Sequence, residues 1–186
     1  MPGVMIRTFL VDGTPDGLRT YEISNSTVHA TVFPRPSLDR FLKRDPAQRP
    51  GVYVLLGQDP EVDSVRIYVG EGDPAGPRLQ SHGSKKDFWT QAIVFTSKDD
   101  YLTKTQIQFL EARLVTEARA AGRVAMENGN SPGEPRIWEA SAVVTTQVAR
   151  RCYQLLGGGA HQGGPNWPAP HPPGILDRRG KPWNRA

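Results

Sequence analysis

The sequence predicts a mixed α/β (α+β) domain, with the element order β-β-α-β-α over some seventy residues beyond position 50. Three observations lead there. Two apolar runs, Gly51-Val52-Tyr53-Val54-Leu55-Leu56-Gly57 and Val65-Arg66-Ile67-Tyr68-Val69-Gly70, flank a polar loop of hairpin length. Thr103-x-x-Gln106 is a capping-box pattern that opens an amphipathic helix, with Ile107, Leu110, Leu114, Val115 and Ala118 at helical spacing as far as Gly122. Ahead of both, three short β-branched runs are punctuated by turn residues, which predicts a small antiparallel meander.

In chain order, the meander strands fall at residues 5–10, 18–24 and 27–33, separated by Asp12-Gly13, Asp16-Gly17 and Asn25-Ser26. Ser37 is placed as an N-cap for a short helix over 38–43, with Leu38, Phe41 and Leu42 on one face. Residues 44–50, rich in Arg and Pro, read as a linker. After the hairpin, Asp73-Pro74 sets an N-cap before the residue best tolerated at the first helical position, so a helix is expected to about Gly83. Residues 88–96 form the third strand of the core. A last helix is expected over 137–156, although Val143-Val144-Thr145-Thr146 has strand character. The resulting division is a β-rich accessory segment at 1–47, a core at 48–131, a helical segment at 132–156 and a tail at 157–186.

Composition narrows the function classes. With 186 residues, 37% of them hydrophobic, the chain can bury the core of one domain but not of two large ones. No apolar run approaches the roughly 18–20 residues of a membrane span, so no membrane partner is expected. Arg7 alone precedes a short apolar patch, without a small-residue cleavage site, which gives secretion no support and makes the cytoplasm the expected location. The single cysteine, Cys152, excludes an internal disulfide and a cysteine-rich zinc site. The net charge of +4 is unevenly spread: from Arg150 onward six basic residues face one acid, which leaves the first 149 residues at −1. Residues 157–186 hold seven glycines and six prolines, so this basic tail is expected to be disordered. Such a tail is either a solvated extension or a source of salt-sensitive affinity for phosphate backbones.

Several residues carry chemistry, each beside an ordinary structural reading. Gly70-x-Gly72-x-x-Ala75 imitates a dinucleotide fingerprint. It lacks the parallel βαβ context, and the acidic residue due about 20 positions later is replaced by the apolar Ala92-Ile93-Val94. Glu111 has Ile107, Gln108, Leu114 and Val115 as its helical neighbours and so no cation on its own face. It needs either a cation from another element or a divalent metal. Arg78 and His82, four apart on one helix face, suit a phosphate and a proton transfer, or are plain surface residues. Tyr53 and Tyr68 occupy matching places in adjacent strands and either fill the core or present their hydroxyls at its rim.

Together, Gly51-Val52-Tyr53, Tyr68-Val69-Gly70, Arg78-x-x-x-His82, Glu111 on the following helix, and Asn128 and Asn130 beyond it resemble the GIY-YIG nuclease superfamily over residues 50 to about 131. The resemblance implies a small α/β domain on a three-stranded antiparallel sheet flanked by helices, and metal-dependent endonuclease activity on DNA with Mg²⁺, or Mn²⁺, as cofactor. Under it, Glu111 would hold the ion and Arg78 would neutralise the scissile phosphate. Tyr53 or Tyr68 would deprotonate the attacking water, with His82 as proton relay. One of the two asparagines would be accessory, and Lys104, Lys85 and Lys86 could reach backbone phosphates. Val52 and Val69 stand where the family motif has isoleucine, both conservative exchanges on a strand. The stretches at 11–15 and 127–132 resemble bacterial members that continue into a further C-terminal domain, which would make the tail a shortened or divergent end. The rival readings are a nucleic-acid-binding module of the same fold without turnover, and an interaction protein in which Glu111 pairs with a protein cation.

Overall fold

A computed structural model describes residues 5–59, 64–99, 101–122 and 124–129, with isolated positions from 132 to 148. Among the described residues seven strands form one sheet: β1 (Ile6–Leu10), β2 (Arg19–Ile23), β3 (Val28–Pro34), β4 (Gly51–Asp59), β5 (Ser64–Gly72), β6 (Trp89–Ser97) and β7 (Ala125–Met126). Their spatial order is β1-β2-β3-β6-β4-β5-β7, antiparallel throughout except for the short parallel contact of β5 with β7.

The expected three-stranded core, β5-β4-β6, is therefore the middle of a larger sheet. The meander is found where it was expected, but it is not a separate accessory layer. Its last strand β3 pairs with β6 along its whole length, from Val28 opposite Ser97 to Pro34 opposite Gln91. The physical reason lies in β6, which is apolar on both faces and would otherwise expose a long unpaired edge. Ala92 to Ser97 are all buried.

Among the elements of the described residues, three α-helices cover the sheet: α1 (Leu38–Leu42), α2 (Ala75–Lys85) and α3 (Lys104–Ala121). The period-2 pleat sorts the strands into two cores. On one face Val52, Val54, Ile67, Val69, Ile93 and Phe95 pack with Ile107, Leu110, Leu114 and Val115 of α3. On the other, Phe33, Tyr53, Leu55, Ala92 and Val94 pack with Phe41 of α1 and Ala75 and Leu79 of α2. The molecule is thus a helix–sheet–helix sandwich.

Helix ends match the sequence in part. The capping box forms: Thr103 N donates to Gln106 Oε1 at 2.7 Å, and the Thr103 side chain accepts from the Gln106 backbone. Gly122 closes α3 with φ at +61°, the left-handed conformation that glycine adopts without penalty. Ser37 makes no side-chain cap, because it ends a 3₁₀ turn (Arg35–Ser37) that runs directly into α1. Asp73 is likewise not the cap of α2. Pro74 takes that place, and the Ala75 amide donates to Arg49 O at 2.9 Å. That bond ties α2 to the 44–50 stretch, which contains a 3₁₀ turn (Asp45–Gln48) with Ala47 fully buried and so is more than a linker. Of the helix expected over 137–156, Thr145 and Val148 are helical and buried; its other positions except Ile137, and the whole tail at 157–186, lie outside the described residues. No helix among the described residues is long and apolar enough to cross a membrane.

Phe33 of β3 is fully buried and stacks on Phe41 with ring centroids 4.6 Å apart. Phe33→Ala should cost about 3–5 kcal/mol and lower one cooperative unfolding transition seen alike in near- and far-UV circular dichroism. Two separable transitions would instead make β1–β3 an independent unit.

Candidate functional site

The site starts from the β4–β5 register. Tyr53 lies opposite Gly70 and Leu55 opposite Tyr68, so the two tyrosines project from one face of the sheet, toward α2. Gly70 is required there: a Cβ at this position would sit 2.5 Å from the Tyr53 hydroxyl oxygen. The bare backbone lets the Tyr53 ring lie across β5 and reach its hydroxyl toward α2.

From α2, His82 meets both phenols. Its Nδ1 is 2.8 Å from the Tyr53 oxygen and 3.0 Å from the Tyr68 oxygen. The imidazole stands nearly perpendicular to both rings, at 74° and 72°, and the two phenol rings are 6.4 Å apart. A single nitrogen thus serves two hydroxyls. Burial, followed by the positive charges of Arg78, Lys86 and Lys85, pushes the His82 pKa below its ordinary value, so the ring is neutral at pH 7. Burial also raises the pKa of both phenols. Tyr68 adds to this for Tyr53, and Glu111 and Glu71 act in the same direction on both. Arg78 opposes these effects, as its proximity predicts, but burial outweighs it. Both tyrosines are therefore protonated in the protein alone, and Arg78 by itself does not make either one a phenolate. Tyr53 is completely buried, whereas Tyr68 keeps partial access to solvent.

Arg78 lies one turn before His82 on α2. It is exposed and makes no hydrogen bond or ion pair with another described residue. Glu111, on α3, is half-buried and also makes no such bond. Its pKa is pushed up to about 7, first by burial and then by the negative charge of Glu71, against the pull of Lys104 and Arg78. Side chains from β4, β5, α2 and α3 therefore share one electrostatic environment, in which a guanidinium and a carboxylate are both left without a bonded partner among the described residues.

The remaining expected residues divide. Lys104, the first residue of α3, places Nζ 2.7 and 2.6 Å from the two carboxylate oxygens of Glu71. Lys86 holds its ammonium 4.2 Å from the Tyr68 ring centroid. Lys85 is exposed on the last turn of α2. Asn128 is occupied structurally: its Oδ1 accepts from Val69 N at 2.9 Å and its Nδ2 donates to Val69 O at 2.8 Å. It continues, by side chain, the edge pairing that β7 begins on β5. Asn130 lies outside the described residues.

Glu71 was missed from sequence, where it filled only a variable place in Gly70-x-Gly72. The signal was the alternation of β5: Ile67, Val69 and Glu71 share a face, and Ile67 and Val69 pack in the α3-side core. Among the described residues no three or more of His, Cys, Asp and Glu come together as a metal-binding group. Any ion here would rest on one or two carboxylates, with water and substrate oxygens completing the shell, which is how Mg²⁺ is ordinarily held. Glu111, half-buried and bonded to no cation among the described residues, fits that requirement. Neither a family model, nor a curated protein, nor a solved structure matches this chain.

The raised Glu111 pKa has a consequence for stability. A carboxyl that binds its proton more tightly when folded contributes most below its unfolded value of 4.5, and that contribution is lost as pH rises through about 7. Glu111→Gln should therefore raise the melting temperature at pH 8, by an amount equivalent to roughly 1–2 kcal/mol after solvent screening, and leave it nearly unchanged at pH 4.5. Equal melting of the two proteins at pH 8 would mean that Glu111 has a cationic partner.

Proposed function

We propose that this chain is a metal-dependent endonuclease of the GIY-YIG type that hydrolyses DNA phosphodiester bonds. The observation that carries the reading is the pair of Arg78 and Glu111, neither of them bonded to another described residue, beside two phenols held on one imidazole nitrogen. Protein surfaces ordinarily let opposite charges in one site neutralise each other. Keeping them apart beside proton-transfer groups suits a ligand that is itself an anion and brings a cation, as a phosphodiester with a divalent metal does.

Glu111 would hold Mg²⁺, or Mn²⁺, which when bound supplies polarisation of the phosphate and neutralisation of its developing charge. Arg78 is assigned the non-bridging phosphate oxygens, where a guanidinium can donate two parallel hydrogen bonds. The exposure of Tyr68 supports giving it the attacking water, with the buried Tyr53 steadying His82 from behind. The neutrality of His82 resolves the problem of a phenol acting as base. With the imidazole proton on Nε2, Nδ1 accepts the Tyr68 proton as the phenol oxygen takes one from water. No free phenolate is needed. Lys85 and Lys86, at the end of α2, suit the flanking backbone.

The test is nicking of supercoiled plasmid with Mg²⁺ or with EDTA. Wild-type protein should nick only with the metal, and Glu111→Ala and Arg78→Ala should each lose at least about 100-fold in rate. Nicking by Glu111→Ala equal to wild type would contradict the reading. Tight DNA binding by wild type without turnover would favour a binding module instead.

A further inference from the structure

The pair formed by Glu71 and Lys104 has a character that the site's other charges lack. Its carboxylate is engaged through both oxygens, 2.7 and 2.6 Å from one ammonium. The two ends differ in environment: the Lys104 side chain is 53% exposed, the Glu71 side chain 14%. Lys104 and Glu111 are seven residues apart on α3, two turns along one helix face. Glu71 acts on both of them, as partner of the first and as like-charged neighbour of the second. A carboxylate that offers two oxygens to an exposed ammonium has the chemistry of a phosphate's two non-bridging oxygens.

Resting on the nuclease reading above, we propose that Glu71 stands in for a nucleic-acid phosphate, holding Lys104 in the free protein and yielding it to a backbone phosphate when DNA binds. The exchange has a cost that makes it conditional. Lys104 is exposed on a flexible stem and can turn to an incoming phosphate with little rearrangement. Glu71, mostly buried, is then left as an unpaired anion beside Glu111. Two neighbouring carboxylates in a poorly solvated site repel each other unless a cation joins them. A divalent ion on Glu111 relieves that repulsion, so the release of Lys104 to DNA is favoured when the ion is present and opposed when it is absent. DNA and metal thereby assist each other's binding through Glu71, and the coupling is reciprocal. In this account Glu71 is a positioning residue that touches neither substrate nor reacting atoms.

The test is binding of a fluorescein-labelled DNA duplex by anisotropy, in EDTA and with Ca²⁺ in place of Mg²⁺, over a range of salt concentrations, with circular dichroism to verify that each variant is folded. Wild type should bind about tenfold more tightly with Ca²⁺ than in EDTA. Glu71→Gln should bind in EDTA nearly as tightly as wild type does with Ca²⁺, because Lys104 is already free. Lys104→Met should lower the slope of log affinity against log salt, measured with Ca²⁺, by about one. Glu71→Gln binding no tighter than wild type in EDTA would overturn the proposal, and so would an unchanged salt slope for Lys104→Met, which by itself decides the matter if Glu71→Gln does not fold. Failure of every protein, wild type included, to bind duplex would overturn the nucleic-acid reading along with it. Wild-type binding without these variant effects would overturn the present proposal alone.

Discussion

The close approach of the Tyr53 ring to the bare backbone of Gly70 is the contact on which the site is built. It fixes which face of β4 and β5 carries the phenols, and so sends Val52, Val54, Ile67 and Val69 into the opposite core beneath α3. A one-residue slip of this hairpin would bury the apolar residues with the phenols and turn the tyrosines away from His82. The register is therefore held by the hydrophobic sorting of two cores as well as by backbone hydrogen bonds. Gly70 fills a steric role in the motif, since any side chain there would occupy the volume of the Tyr53 hydroxyl. The same pleat brings Glu71, one residue further along, to the α3 side.

On that frame the electrostatics separate into a neutral half and a charged half. Burial keeps Tyr53, Tyr68 and His82 uncharged, so their hydrogen bonds persist without an ionic partner. Along α3 and the first turns of α2 the charges are real but unequally matched. Glu71 and Lys104 satisfy each other, while Arg78 and Glu111 do not. Taking an unpaired carboxylate out of water is costly, and burial together with the negative charge of Glu71 pushes the Glu111 pKa up. Such tension is what a site poised to take up a cation and an anion together would show before either arrives.

Much of the frame was legible in the amino-acid sequence because it depends on short-range signals. The capping box at Thr103 and Gln106, the apolar spacing of α3 and the alternation in β4 and β5 are all written within a few residues, and each element lies within two residues of its expected bounds. The union of the meander with β6 was not legible, because pairing Val28 with Ser97 joins segments nearly seventy residues apart and leaves no local mark. Of the candidate site, the matching places of Tyr53 and Tyr68 followed from position on adjacent strands, whereas their grouping with His82 came from the family resemblance, and the structure brings these three within hydrogen-bonding distance. Asn128 looked equally suited to chemistry or to a turn, and its engagement with both backbone groups of Val69 depends on a strand edge that only the folded sheet creates. Glu71 escaped notice because its partner Lys104 is thirty-three residues away.

The claim that matters most is that Glu111 is a carboxylate kept free for a metal ion. It is tested most directly by crystals of the protein soaked in Mn²⁺, with the anomalous signal of the metal locating the ion. The account predicts an anomalous peak within about 2.0–2.3 Å of a Glu111 carboxylate oxygen, with Arg78 still unpaired. A map with no peak there, and with the Glu111 carboxylate bonded to the Arg78 guanidinium, would contradict it.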